Sequence, residues 1–280
     1  MYGLARCAGP MSYALSAEAA EFYESTFVPA LFDSMARRAV GAAGLTPGRA
    51  VLDVACGTGA VARAASSVVG PTGTVVGVDR NPAMLAVARR LRPDLRWLEG
   101  DACALPFAAG TFDVAISQAG LMFFGDPVAA LRELGRVAGR VVVQVPGRLS
   151  ESAGYRALAE VVSRHAGPAT GDLLSVYFSA GSPAFLADLM DQAGLLVDRF
   201  ETWTGATRLD SLDTFLAVEL LPFGALEPDV HDRIVADCRT ALASFVSPTG
   251  AVAAPIEVQL VTARALPGAR AGGPVGMLSG

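Results

Sequence analysis

The chain has 280 residues, 52% of them hydrophobic, and a formal net charge of −5. That length fits one α/β domain with a modest insertion better than two independent domains, and the acidic balance gives no electrostatic basis for a nucleic-acid partner. Every basic residue is arginine, which excludes Schiff-base chemistry on a lysine.

Residues 1–15 carry little pattern and read as loose. Two helical pieces follow, 16–27 and 29–43, separated by Pro29, a residue suited to the first turn of the second. The first carries Phe22, Tyr23 and Phe27; the second carries Leu31, Phe32 and Met35. Two roles are open for this segment: packing its aromatics onto a sheet, or folding over a bound cofactor as a lid with Tyr23 in contact. Strand-like runs at 50–55, 74–79, 95–99, 112–117 and 140–145 then alternate with helical runs at 59–69, 82–91 and 126–138, the pattern of a parallel sheet with helices on both faces. Asn81-Pro82 and Asp126-Pro127 mark helix starts. About forty residues follow before the next strand, more than an ordinary connection, with helices near 153–166 and 183–193. Runs at 195–208 and 255–265 are strand-like, and the Gly/Pro/Ala-rich tail from about 267 reads as disordered.

The chemistry concentrates in VLDVACGTGAVAR (51–63) and VVGVDR (75–80). An apolar strand ends at Asp53, a small-residue turn with Gly57 and Gly59 leads into a helix, and a second strand ends at Asp79. Such a unit holds a nucleoside-bearing cofactor: backbone N–H groups of the turn face an anionic group and the second acid takes ribose hydroxyls. Gly57-x-Gly59-x-x-Ala62 also satisfies the dinucleotide fingerprint, so the glycines alone leave NAD and S-adenosylmethionine both open. Three features favour the latter. Asp53 precedes the glycines, where an anion would repel a pyrophosphate but suits a cationic amino group. Asp101 ends a third strand-like run, RWLEGDA, within reach of an adenine amino group. No basic residue is placed in the turn to meet a pyrophosphate.

On these residues the chain resembles the class I S-adenosylmethionine-dependent methyltransferases. VLDVACGTG, GVDRNPAMLAVAR (77–89), LEGDACALPF (98–107) and FDVAISQAGLMFF (112–124) look like their successive motifs, most like the branch with ubiquinone/menaquinone-biosynthesis C-methyltransferases (methyltransferase type 11). The resemblance is strong over 45–146. It implies a Rossmann-like α/β fold, a seven-stranded mostly parallel sheet whose last strand is inserted antiparallel. It also implies that the insertion between the fifth and sixth strands is a helical acceptor cap (147–194); with the residue readings above, the chain divides into an N-terminal helical lid (1–43), a cofactor-binding core (44–146), that cap, the remainder of the core (195–266) and the tail (267–280). Two departures stand out. Ala55 replaces a frequent Gly, tolerable if its dihedrals are those of a strand, and RVAGRVVV (136–143) leaves little room for the usual turn before the fifth strand.

The cofactor implied is S-adenosyl-L-methionine. Asp53 is expected at its amino group, the turn Ala55, Cys56, Gly57, Thr58 and Gly59 along its methionine part, and Asp79 on its ribose. Arg80 and Met84 flank the adenine, Asp101 and Ala102 meet its edge, and Ser117 and Gln118 meet the methionine part. Cys56 is read as a lining residue, since a small side chain is all the turn needs. The acceptor is expected to be a small molecule in an apolar, partly aromatic pocket built from Leu121–Phe124 and the cap, with carbon or oxygen as the target atom. If the acceptor must lose a proton, His165 is the candidate base, although Gly167-Pro168 beyond it equally suits a histidine facing its own helix end; His231, Tyr13 and Tyr23 are weaker candidates. No paired acids suggest a metal. The four cysteines show neither ligand spacing nor a disulfide pattern, no apolar run reaches membrane-spanning length and no signal peptide is recognised, so a cytoplasmic enzyme is expected. Competing functions are a non-methylating, cyclase-like use of the same cofactor, an NAD-dependent oxidoreductase and a non-catalytic interaction subunit.

Overall fold

The computed structural model describes residues 16–220 and 226–265; the loose start with Tyr13 and the tail from about 267 lie outside them. Seven strands form one sheet in the order β3-β2-β1-β4-β5-β7-β6. They are β1 (Ala50–Val54), β2 (Thr74–Asp79), β3 (Arg96–Glu99), β4 (Phe112–Gln118), β5 (Ala138–Pro146), β6 (Leu195–Leu209) and β7 (Val252–Ala265). The first five are parallel, and β7 lies antiparallel between β5 and β6. The central strands are valine-rich and buried on both faces, as a helix-covered parallel sheet requires.

Helices α1 (Ala17–Phe22), α2 (Asp33–Ala43), α3 (Ala60–Val69), α4 (Pro82–Leu91) and α5 (Pro127–Val137) precede the cap. One face of the sheet is packed by α2, α3 and α4 through Ala36, Ala39, Val61, Ala65, Leu85 and Ala88. The other is packed by α5 and by α9 (Pro183–Gln192) through Leu131, Leu134, Leu186 and Met190. Small side chains on the first face let α3 lie close to the strands, while Leu52 and Ile116 are fully buried; truncating either to alanine would cost about 2–5 kcal/mol. Asn81 and Asp126 cap α4 and α5 by accepting backbone N–H groups, each followed by the proline that the sequence places there. α5 passes into β5 at Ala138 with no intervening turn.

Two departures from the expected elements have physical causes. Pro29 does not separate two helices. α1 runs into a π-helical segment, Tyr23–Phe32, and on into α2; the wider turn, seen in the Asp33 N–H bonding to the Val28 carbonyl, accommodates a proline that would break an α-helix. Between the strand-like runs 195–208 and 255–265 the sequence marks no helix. Helices α10 (Leu212–Glu219) and α11 (Pro228–Ala241) stand between β6 and β7. They form a further apolar cluster with α6 (Ala153–Ala166) of the cap through Leu158, Val162, Phe215, Leu216, Ile234 and Cys238. The short helices α7 (Pro168–Gly171) and α8 (Ser175–Phe178) complete the cap.

β1 connects to β2 on one side and has β4 on the other. The crevice beyond the carboxyl ends of β1 and β4 is therefore the topological switch point, where open α/β sheets bind ligands.

Candidate active site

The chain leaves β1 at Asp53 and turns sharply. Cys56 N–H bonds back to the Val78 carbonyl at 3.0 Å, and Gly57 and Gly59 take left-handed φ values of 53° and 89°. Gly59 has a second constraint: a Cβ there would lie 2.3 Å from the Trp97 ring. Ala55 does not keep strand dihedrals. Its φ is 56°, so the tolerance expected from the sequence fails, and an L-residue is held where roughly 1–2 kcal/mol of strain is normal. The chain can place it there because Gly120 faces it; a Cβ on Gly120 would come within 2.7 Å of the Ala55 Cβ.

The acids bind the loop as well as facing the crevice. One Asp79 oxygen accepts the Gly57 N–H at 2.8 Å and the other the Asn81 N–H at 2.8 Å. One Asp53 oxygen accepts the Ala62 N–H at 2.9 Å. Two N–H groups of the turn and helix start are thus held by carboxylates, where the sequence reading offered the turn to an anion. Each carboxylate oxygen keeps a further lone pair, so Asp79 can also accept hydroxyl groups. Burial pushes the Asp53 carboxyl up to about 7, against the lowering by its Ala62 bond, and also raises Asp79. Asp101 accepts the Cys103 N–H at 2.9 Å in a turn. Asp79, Arg80, Asp101 and Ala102 line one cleft together with Val54, Ala55, Val78, Gly100 and Phe124. It holds about 340 Å³ including its open mouth.

The N-terminal segment covers the rest of the crevice. Tyr23 is buried against the turn, with its ring stacked on Phe32 at 5.3 Å and near Phe27 at 5.9 Å. Burial, with Asp79 next, drives its phenol well above the ordinary range, so it stays protonated. Arg63 of α3 donates to the Thr58 carbonyl at 2.7 Å and to Glu24 at 2.9 Å, which ties the glycine loop to the cover. Gln118 donates to the Phe32 carbonyl at 3.2 Å.

Among the described residues, seven buried side chains have a polar atom with no hydrogen-bond partner: Glu24, Asp53, Thr58, Ser117, Gln118, Gln144 and Trp203. Four of them, Asp53, Thr58, Ser117 and Gln118, stand at the switch point itself. Glu24 is in the covering segment and Thr58 in the glycine turn. Asp53, Ser117, Gln118 and Gln144 stand at or near the carboxyl ends of β1, β4 and β5. Trp203 lies on β6, against which the cover packs. Buried polar groups are normally satisfied, and an exception requires an explanation such as a missing bound group. Asp53 Oδ1 supplies a bare carboxylate oxygen beside the turn, the partner that an ammonium would need.

Other expected residues fall elsewhere. Met84 is buried with Ala20 and Val87 under α1 and packs against Tyr23. Cys56 is a buried free thiol, pushed up by burial and by Asp53 and Asp79, which keeps it from acting as a thiolate. His165 lies 2.8 Å from Asp237 of α11, and Arg164 pairs with the same carboxylate at 3.0 Å; it is not among the residues that line the cleft. His231 is beside Asp232 on α11. Cys103 is disulfide-bonded, which corrects the reading from spacing; pairing requires Cα atoms within about 7 Å, and spacing does not encode that approach. Sequence reasoning missed Glu24, Arg63, Gln144 and Trp203. Only Gln144 carried a local signal, a single amide inside the apolar strand VVVQVP.

Comparison with known proteins points to methyltransferases. Residues 51–139 match a family model described as a methyltransferase domain. Over 105 residues the chain is 42% identical to the 2-phytyl-1,4-naphtoquinone methyltransferase of Synechocystis sp., covering 35% of this chain and 44% of that one. It is 31% identical over 175 residues to the demethylmenaquinone methyltransferase of Lysinibacillus sphaericus, covering 57% of this chain and 75% of that protein. The chain spans under half the length of several other such relatives. The fold overlays on the crystal structure of a SAM-dependent methyltransferase from Aquifex aeolicus with a TM-score of 0.51 at 18% identity, over 66% of this chain and 92% of that one. No single described helix is long and apolar enough to cross a membrane.

Proposed function

The chain belongs to the class I S-adenosylmethionine-dependent methyltransferases, and from that membership we propose that it methylates carbon or oxygen of a small, largely apolar acceptor of the quinol class. The naphthoquinone-type skeleton comes from the names of its relatives; the reduced, quinol form follows from chemistry, since an electrophilic methyl group needs an electron-rich ring or hydroxyl to accept it. The observation that carries the proposal is the set of unpartnered buried polar atoms of Asp53, Thr58, Ser117 and Gln118 at the switch point.

When bound, S-adenosylmethionine supplies a methyl group already activated by its sulfonium. The residues present fit it. Asp53 Oδ1 would pair with the amino group, with Ser117 and Gln118 beside the methionine part. Asp79 would accept the ribose hydroxyls. Asp101 and Ala102 would meet the adenine edge, with Arg80 at the cleft wall. The loop Ala55–Gly59 gives the close backbone approach, and Tyr23 closes the site from above. The chain's main task is to hold donor and acceptor in line and to exclude water. The lid ties from Arg63 to Glu24 and from Gln118 to the Phe32 carbonyl serve the second part. His165 is given no proton-transfer role, because it is not among the residues that line the cleft.

Incubation with methyl-labelled S-adenosylmethionine and a panel of reduced naphthoquinols and phenols tests this. Label is expected in the acceptor, with one S-adenosylhomocysteine released per methyl. Binding of the cofactor with no transfer to any member of the panel would refute the acceptor class.

A further inference from the structure

Gln118 and Gln144 are direct neighbours in the parallel register of β4 and β5. They therefore project from one face of the sheet, the face on which Gln118 reaches the Phe32 carbonyl of the covering segment. Asp53 stands on the same face one row below, since its register partner is Ile116, two residues before Gln118. Gln144 has no exposed surface, and neither its amide oxygen nor its amide nitrogen has a partner. Gln118 spends one N–H on Phe32 and its oxygen is also bare. A fully buried, wholly unsatisfied amide destabilises a strand that valine or leucine would fill without loss. Its neighbours in β5, Val142, Val143 and Val145, are apolar.

We propose that Gln144, with Gln118, recognises a hydroxyl group of a phenol or hydroquinol acceptor. Gln144 offers both a donor and an acceptor, and Gln118 adds a second acceptor. A hydroxyl, which donates one proton and accepts as well, pairs with the Gln144 nitrogen and with one of the two amide oxygens; a carbonyl or an ether oxygen only accepts and leaves both oxygens bare. Leu31 of the covering segment, Met35, Val258 and Trp203 belong to one buried apolar cluster, which must open for the acceptor's ring to enter. This identification rests on the methyl-transfer reading above and adds the polar group by which that site selects its acceptor. Gln144 is a specificity-determining residue in this account and takes no part in cofactor binding.

The test uses the full chain saturated with S-adenosylhomocysteine and two probes, 1,4-naphthohydroquinone kept reduced under anaerobic conditions and its dimethyl ether. Wild-type protein should bind the hydroquinone at least about 10-fold more tightly than the ether, because a site built to hydrogen-bond a hydroxyl rejects the analogue lacking it. Gln144→Met should lose most of that preference, bind S-adenosylhomocysteine unchanged, and melt about 2–6 °C higher in the absence of ligands, since an unsatisfied amide has been removed. Gln144→Leu serves as a second variant should the methionine side chain pack poorly. Three results would overturn the proposal: no preference in the wild type, full preference retained in both variants, or lower melting temperatures in both, which would mean that Gln144 has a structural partner. Failure of the wild type to bind S-adenosylhomocysteine would instead overturn the functional reading on which the proposal rests.

Discussion

Asp53 is held at the end of β1 with one oxygen on the Ala62 N–H and the other bonded to nothing. Burial raises its carboxyl to about 7, so the folded chain binds this proton more tightly than the unfolded chain. The stability it contributes is full below about pH 4, the ordinary carboxylate value, and is lost as the pH rises through about 7. A cation brought to the bare oxygen favours the charged form and reverses the shift. Binding of S-adenosylmethionine at pH 6 should therefore release a proton, measurable by calorimetry in buffers of different ionisation enthalpy. Asp53→Asn should abolish that release, weaken binding, and flatten part of the fall in melting temperature between pH 5 and 8. Only part is expected to go, because burial also lifts Glu219 to about 7. An unchanged proton release in the variant would remove Asp53 from the amino-group position. The left-handed Ala55 belongs to the same scale. The motif string identified its place in the loop, while its dihedral was set by what Gly120 leaves open opposite it.

The Tyr23–Phe32 segment is the element that turns an open crevice into a closed one. It is anchored at the glycine loop by the Arg63–Glu24 pair, both of whose side chains are mostly buried, and at β4 by Gln118. Arg63→Ala would leave the mostly buried Glu24 carboxylate without its ion-pair partner and free the Thr58 carbonyl, at a cost of about 1–3 kcal/mol. Because the loss is local, backbone hydrogen exchange should accelerate in 17–32 and remain slow in the central strands. Cofactor affinity should fall by roughly 10-fold, in line with the same 1–3 kcal/mol. Unchanged exchange in 17–32 would mean that other contacts hold the cover. The sequence marked two helices here with aromatics on them. It did not show that they are continuous, since an α-helical period cannot predict the wider turn that admits Pro29.

At the scale of the whole molecule, the cap and the sheet are joined through a buried polar knot. Tyr155 of α6 meets Thr207 of β6 at 2.5 Å and donates to Glu219 of α10 at 2.8 Å. Its ring packs on Phe178 and Phe215. Tyr155→Phe would leave Glu219 and Thr207 without that partner and should destabilise the protein by about 1–3 kcal/mol in denaturant titration; a change below about 0.5 kcal/mol would show that water replaces the hydroxyl.

The first five strands, their helices, the glycine loop and all three acids were legible in the chain because each is a local pattern: an apolar run, a capping residue with its proline, a turn that only small residues can make, an acid at a strand end. Tertiary structure alone decided what those patterns meet. The placement of β7 between β5 and β6, the packing of α10 and α11 on the cap, the Asp79 bond to Gly57 and the row of bare polar atoms under the cover join residues 20 to more than 100 positions apart. No periodicity encodes such encounters; they follow from how the whole chain excludes water from one core.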